Sequence, residues 1–563
     1  MLWIPYVLAA VLATLGVLCH RFYFIHGEHH LAAPWLLALW IISTGGIALT
    51  TVFIRINVLS TVLLINTAFF IALFGSILMY RLHQHALCGF DGPRLAAVSK
   101  LWHFGHMFRV SNHLFLDALT KKYGTIIRTG PQELTITDPE VWEAVNKPGS
   151  LCIKSPWYDM LWPYVALNSI RGKEGYAVRR RRWDDALRIS NESSTDKKHL
   201  INQAASQLLC RIETSLGKPF NATTEFYNFS FDLVGEIVFG QSFSLLDSHS
   251  YLSHSSPPDL ISQGMSMLRY FSPVPWIGHL SFFMAPYFPM ITQKWNRALG
   301  WAAEVCDLRL QRGAKCQESA DAFSRFILSA SRDGDQQSLD RHALYGDAFA
   351  ITVAGSHSTA ATLTMMFFEL ARRPSIQLQL RQELQTAGAT IQYSHHNGAR
   401  KLVDTSVFNR LPILNSCITE TLRLYPVVPT GGIRQTVNKG VKVGNKWIPP
   451  NTVIVMPRWS MGRSNCAFDM PNDFVPERWT VKSHMVHDAR AYNGFGAGRW
   501  ICPGKQLGVM EIRILATMVI LNYEFSLAST PRNETRVVDD FQDNFTATPG
   551  KLELVFNPLT HSR

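Results

Sequence analysis

Phe495-Gly496-Ala497-Gly498-Arg499-Trp500-Ile501-Cys502-Pro503-Gly504 sets one cysteine among three glycines and a proline, and an apolar run, Leu507–Leu521, follows. Glycines permit the tight turns and positive φ that a loop approaching a ligand needs. The apolar run reads as a helix. Cys502 therefore lies just before a helix N-terminus, where the dipole and free N–H groups favour a thiolate. A thiolate held this way suits ligation of a haem iron. The competing reading is a glycine-rich loop around an inert buried cysteine. The other eight cysteines are scattered and no CxxC occurs, which argues against a disulfide framework or a structural zinc site. They read as small apolar core residues in a reducing compartment.

Upstream, Glu420-Thr421-Leu422-Arg423 places an acid and a base three residues apart, on one helix face. Pro476-Glu477-Arg478-Trp479 offers a second arginine. The stretch Asp347–Arg373 is apolar on nearly every side, as a buried central helix would be. In its middle, Ala354-Gly355-Ser356-His357-Ser358-Thr359 combines glycine with hydroxyls, which loosen a helical ladder. Arg179-Arg180-Arg181-Arg182-Trp183 is a basic run that, alone, fits a nucleic-acid patch, although no nucleic-acid fold signature accompanies it.

Taken together and in this order, these elements resemble the cytochrome P450 family over about residues 89–558. The Cys502 loop resembles the haem-binding signature F-G-x-G-x-R-x-C-x-G at Phe495, Gly496, Gly498, Cys502 and Gly504. It departs where the family usually has arginine: Trp500 stands there, with an indole N–H that donates. The resemblance implies a mainly α fold with small β-sheets and haem b on Cys502. It implies a structural cluster of Glu420, Arg423 and Arg478. His357 and Ser358 stand at the acid and threonine positions of the oxygen-activation motif, with Thr359 next to them, so these three are the expected catalytic residues. Trp183, Arg434 and Trp500 are the expected propionate donors, while Arg188 is one residue off the usual W-x-x-x-R spacing.

Away from these motifs the chain is two materials. It carries 54 Lys and Arg against 42 Asp and Glu, a net charge of +12, yet only Arg21, Glu28 and Arg55 fall within residues 1–80. Trp3–Cys19, Leu31–Ile54 and Ile56–Tyr80 are free of charge, and the last two are long enough to cross a bilayer. Residues 1–80 thus read as an anchor of two or three transmembrane helices, 81–105 as a hinge and 106–563 as the catalytic domain. Three spans put the loop His20–His30 on the same side as the body. Arg81 and Arg94 favour a cytosolic body, at the endoplasmic reticulum membrane. The four histidines in that loop show no fixed ligand spacing. Tyr123–Thr137 reads as a hairpin, Asp138 as the cap of a helix, and Gly440–Pro457 as strand-rich. Polar loops are expected at Ser248–Asp259, Arg332–Ser338 and Ser394–Lys401.

The expected function is insertion of one oxygen atom from O2 into a lipophilic small molecule, in a fungal secondary-metabolite pathway. Electrons come from NADPH through cytochrome P450 reductase, with cytochrome b5 as a further partner and the proximal arginines as the docking face. The substrate enters from the bilayer beside Phe271–Pro289, read as a loop dipping into the membrane. Trp157–Trp162 is expected to line the pocket. Two alternatives stand beside this reading. One is a non-oxygenating haem-thiolate isomerase or dehydratase, suggested by His357 and Ser358. The other is a membrane-anchored basic binding protein without haem. The sequons at Asn191, Asn221, Asn228, Asn533 and Asn544 stay unmodified if the body is cytosolic.

Overall fold

The computed structural model describes residues 3–54, 57–161, 164–188, 191–247, 256–284, 289–312, 321–335, 337, 339–393, 400–402 and 405–559. Parts of the three expected loops, 248–255, 336 and 338, and 394–399, and Trp162 lie outside them.

Three helices are long and apolar enough to cross a membrane: Ile4–Phe24, His30–Phe53 and Val58–Gln84. Gly16 brings the first against the third, since a Cβ there would lie 2.7 Å from the Phe69 carbonyl oxygen. Small residues are what allow such close approach. Asn66, the polar residue inside the third span, accepts from Trp40 Nε1 at 2.8 Å and donates to the Val62 carbonyl at 2.9 Å. Its amide is thereby satisfied and ties the second span to the third. Trp35, Ile42, Leu63 and Ile71 face outward, as a lipid-facing surface requires.

The loop after the first span touches the body. His30 Nε2 lies 3.0 Å from Asp159 Oδ2. Arg171 binds Glu28 with two nitrogens, each at 2.7 Å, and Asp159 at 2.7 Å. The loop is therefore fastened directly to the body. Ligand-type atoms of Glu28, His30 and Asp159 lie within 4.8 Å of one another. The cation among them is Arg171, so the cluster is an ion-pair network. The hinge is fastened too: the Arg128 N–H donates to the Asp91 carbonyl at 2.7 Å and Arg128 Nη1 to the Arg81 carbonyl at 2.9 Å.

The body is mostly helical. The expected hairpin is present, Ile126–Gly130 pairing antiparallel with Glu133–Ile136 in the register Ile127 to Thr135. It extends through Val453–Val455 and Arg434–Gln435 to Ile153–Lys154, giving a five-stranded sheet. Asp138 caps the following helix by accepting from Glu140 N and Val141 N. The central helix runs Arg341–Ala371 and starts earlier than its apolar pattern, because Asp340 caps it. It is continuous. The hydroxyls of Thr352, Ser356, Ser358, Thr362 and Thr364 each donate to the carbonyl four residues back, so they line the ladder without opening it. Phe271–Pro289 differs from expectation: it contains a helix, Pro275–Met284, packed on the second span. Residues 285–288 are outside the described set. Among the described residues eight cysteines are free and none forms a disulfide.

One buried carboxylate organises the region behind the Cys502 loop. Glu420 accepts from Arg423 Nε and Nη2, both at 2.8 Å, from Arg478 Nε at 3.0 Å, from Trp479 Nε1 at 2.9 Å and from Val475 N at 3.0 Å. The side chains of Glu420, Arg423 and Arg478 are wholly buried, and both arginines spend further N–H groups on backbone carbonyls. Deleting one member of a buried ion cluster strands the others at a cost of about 3–5 kcal/mol. Arg478→Leu is therefore expected to lose that much stability, read by denaturation followed through tryptophan fluorescence.

Candidate active site

Two left-handed glycines shape the Cys502 loop, Gly496 at φ +73° and Gly498 at φ +59°. At Gly498 a Cβ would lie 1.9 Å from the Asn146 carbonyl oxygen. The Cys502 N–H donates to the Phe495 carbonyl at 2.9 Å and closes the loop. Gly504 caps the helix Lys505–Asn522. Cys502 is exposed, yet its thiol is set among many protein atoms. Burial pushes its thiol up, while the Gly504 N–H and the charges of Arg180, Arg458 and Lys505 pull it down.

Beside the loop stands a group of buried cations. Lys154 and Arg434 are paired across adjacent strands, and each is less than a tenth exposed. Lys154 Nζ lies 4.8 Å from the centre of the Trp500 ring and the Arg434 guanidinium 5.1 Å from it. Burial, then the neighbouring Arg434 and Arg180, holds Lys154 well below the usual lysine range. Burial and Arg434 together bring Arg458 down to about 10. The Nε atoms of Arg434 and Arg458 are buried without a partner. Among the described residues no carboxylate pairs with Lys154, Arg434 or Arg458. Such a cluster wants an anion at its centre. The two propionates of a haem, held with the iron against Cys502, fit that demand.

Tyr176, which sequence reasoning missed, and Arg180, read there only as part of the basic run, belong to this site. Tyr176 Oη donates to the Arg499 carbonyl at 3.0 Å, and Arg180 Nη1 to Tyr176 Oη at 3.0 Å and to the Ile501 carbonyl at 2.5 Å. The Tyr176 ring lies 4.4 Å from that of Trp500. Their spacing, i and i+4 on a helix, was the available signal. Trp183 was expected at the propionates but is placed elsewhere. It lies seven residues beyond Tyr176, about two turns, and its Nε1 donates to Asp347 Oδ2 at 2.7 Å. Arg179 Nε and the Leu167 N–H satisfy the same carboxylate. The basic run is thus mostly spent inside: Arg179 on Asp347, Arg180 on the loop, Arg182 on Asp333 and Asp335. Of the four, only Arg181 is exposed.

On the central helix the three expected catalytic residues point in three directions, as a rotation of about 100° per residue dictates. His357 is fully buried, edge-on to Tyr227 and Phe231, with neither ring nitrogen partnered. Burial pushes its pKa down to about 4. Ala354 and Ser358 lie on the open face of the helix. Thr359 Oγ1 donates to Glu511 Oε2 at 2.9 Å, and burial pushes that carboxyl up to about 7. Phe495 sits at the start of the loop with Lys505 Nζ 5.6 Å from its ring centre.

Because nothing at Gly498 can give way to a methyl group, Gly498→Ala is expected to abolish haem retention. The ratio of Soret to protein absorbance in the purified chain checks this.

The profile of the cytochrome P450 family matches residues 96–556. Cytochrome P450 monooxygenase FCK2 of Fusarium pseudograminearum is 32% identical, over 97% of this chain and 97% of its own. Tryprostatin B 6-hydroxylase of Aspergillus fumigatus is 31% identical over 92% and 90%. Cytochrome P450 monooxygenase notG' of Aspergillus versicolor is 30% identical over 96% of each. These relatives are oxygenases, and none supports the non-oxygenating or haem-free readings. With the family profile across its body and fungal monooxygenases alongside nearly its full length, the chain belongs to the cytochrome P450 family and is a monooxygenase.

Proposed function

We propose that this monooxygenase hydroxylates a lipophilic small molecule drawn from the membrane that holds its anchor. The observation that carries the reading is the Cys502 loop beside Lys154, Arg434 and Arg458, none of which pairs with a carboxylate among the described residues. In this reading Cys502 ligates the iron, and Lys154, Arg180, Arg434, Arg458 and Trp500 hold the propionates. The haem, when bound, supplies activation of O2 with electrons from a reductase. We assign NADPH as their source and cytochrome b5 as a second donor. The reductase docks on the side where Arg181 and Arg188 are exposed.

The chain's own share is to exclude water, place the substrate and move protons. Ser358 is the residue we assign to proton transfer, because its hydroxyl lies on the open face of the central helix. Thr359 and Glu511 stand behind it and fix the helix. His357 packs in the core, about 100° round the helix from Ser358, so the isomerase reading loses one of the two residues that suggested it. We place the anchor in the endoplasmic reticulum membrane with the body cytosolic, following Arg81 and Arg94. Asn533 and Asn544 are buried, so those two sequons offer no acceptor in the folded chain. The tryprostatin B 6-hydroxylase is, by name, a hydroxylase of one small compound; the same reaction type is proposed here.

Reduced protein exposed to CO is expected to show a thiolate-type Soret band, lost in Cys502→Ala; its absence from folded wild-type chain would defeat the assignment. Ser358→Ala is expected to lower product formed per NADPH consumed by about tenfold or more, with His357→Phe unchanged. Glu511 gives a pH test. Its folded pKa of about 7 lies above its usual 4.5, so the folded chain holds the proton more tightly than the unfolded one. The resulting stability is whole below pH 4.5 and is lost as pH rises through 7. Glu511→Gln should flatten that decline, measured as thermal midpoint against pH.

A further inference from the structure

A cavity of about 950 Å³ opens between the anchor and the body. Leu36, Phe74 and Ile77 line it from the spans, and Trp157, Trp276 and Ile433 from the body. Gln435 contributes to its floor. Side chains alternate along a strand, so Arg434, the next residue, turns to the other side and meets Trp500. One strand's thickness thus separates this cavity from the cations beside Cys502. Trp157 stands at the boundary: its Nε1 donates to Ser272 Oγ at 2.9 Å, and its ring stacks on Phe545 at 4.7 Å.

The charges along the cavity are unevenly balanced. Glu28 is paired with Arg171, and Glu133 with Lys100 at 2.5 Å. His20 bonds Ser76, and His29 bonds backbone carbonyls. Arg81, at the end of the third span, donates Nη1 to the Val98 carbonyl at 2.6 Å and pairs with no carboxylate among the described residues. Behind it, Arg128 is buried, spends its terminal nitrogens on the carbonyls of Arg81 and Pro131, and leaves Nε unpartnered. It too meets no described carboxylate. His85 accepts the Leu87 N–H at Nδ1, at 3.1 Å, which puts its own proton on Nε2 as a donor. No described residue accepts from it. One end of the cavity therefore carries uncompensated positive charge and a spare donor, and its walls are apolar.

We propose that this cavity is an antechamber for a membrane-borne amphiphile with an anionic group. The anion meets Arg81 and His85, and the apolar body lies along Leu36, Phe74, Ile77 and Trp276. Arg81 sits at the end of a membrane span, the height at which an amphiphile in the adjoining leaflet holds its head group. The anchor then supplies walls of a binding site as well as attachment. This rests on the proposed entry of substrate from the membrane. The anion belongs either to a substrate-type carboxylate or to an anionic lipid head group.

The test uses the full chain in phosphatidylcholine nanodiscs, with a palmitic acid analogue carrying a diazirine. After photolysis, adducts are mapped by mass spectrometry. They are expected on Leu36, Ile77 or Trp276, displaced by palmitate and not by hexadecanol. Arg81→Gln should cut labelling about tenfold, the value of one charge-assisted contact, and Leu36→Trp should remove it. Both variants should keep the wild-type CO difference spectrum, which shows that they fold. Loss of labelling when phosphatidylserine is added assigns the anion to lipid; persistence assigns it to a substrate-type acid. Labelling unchanged in Arg81→Gln, equal displacement by hexadecanol, or adducts confined to outward residues such as Ile42 and Leu63 would overturn the antechamber. Failure of labelling with O2-dependent turnover intact sinks the antechamber and leaves the proposed oxygenation standing.

Discussion

Like charges packed together away from water repel one another and lose their hydration, and among the described residues no acid pairs with Lys154, Arg434 or Arg458. That constraint governs the rest of the molecule. The strand pair that carries Lys154 and Arg434 exists to hold them at one wall. The helix that carries Tyr176 and Arg180 pins the Cys502 loop opposite. A group with two carboxylates and a thiolate-seeking metal answers both sides of the space at once. The apoprotein should therefore be the less comfortable state, and binding free energy becomes folding free energy.

Keeping this cluster free of acids requires that nearby carboxylates be occupied elsewhere. Asp347 is the clearest case. It lies on the central helix, within reach of the basic helix, and is fully used by Arg179, Trp183 and the Leu167 N–H. Glu420 plays the same part on the far side, closed off by two arginines and an indole. Each buried acid is satisfied within its own group, so neither competes for the cations beside the Cys502 loop.

Much of this was legible in the sequence, and the limits have physical reasons. The Cys502 loop, the Glu420–Arg423 pair, the hairpin and the apolar spans depend on local spacing, which a one-dimensional reading sees; Arg478 joined that pair only through the family resemblance. Side-chain direction on a helix was less accessible. Trp183 and His357 are the right residue types in the right region, yet rotation about the helix axis turns one to Asp347 and the other to Tyr227 and Phe231. Of the cation group only Arg434 was legible. Lys154 meets it through sheet register, and Arg458 joins from the start of the short helix Arg458–Gly462. Phe271–Pro289 was misjudged because four prolines argue for an irregular loop, whereas Pro275 opens a helix at its first turn, where proline is tolerated.

The contact among Glu28, His30, Asp159 and Arg171 has a kinetic consequence. A body on a single flexible stalk samples every heading above the membrane, and an encounter with an electron donor must wait for the correct one. Here the stalk is gripped at two places, through Arg171 at the loop and through Arg128 at the hinge. With the three spans in a bilayer, as proposed, tumbling would then be confined to rotation about the membrane normal. Two proteins sharing a bilayer in this state search in two dimensions with their working faces already level.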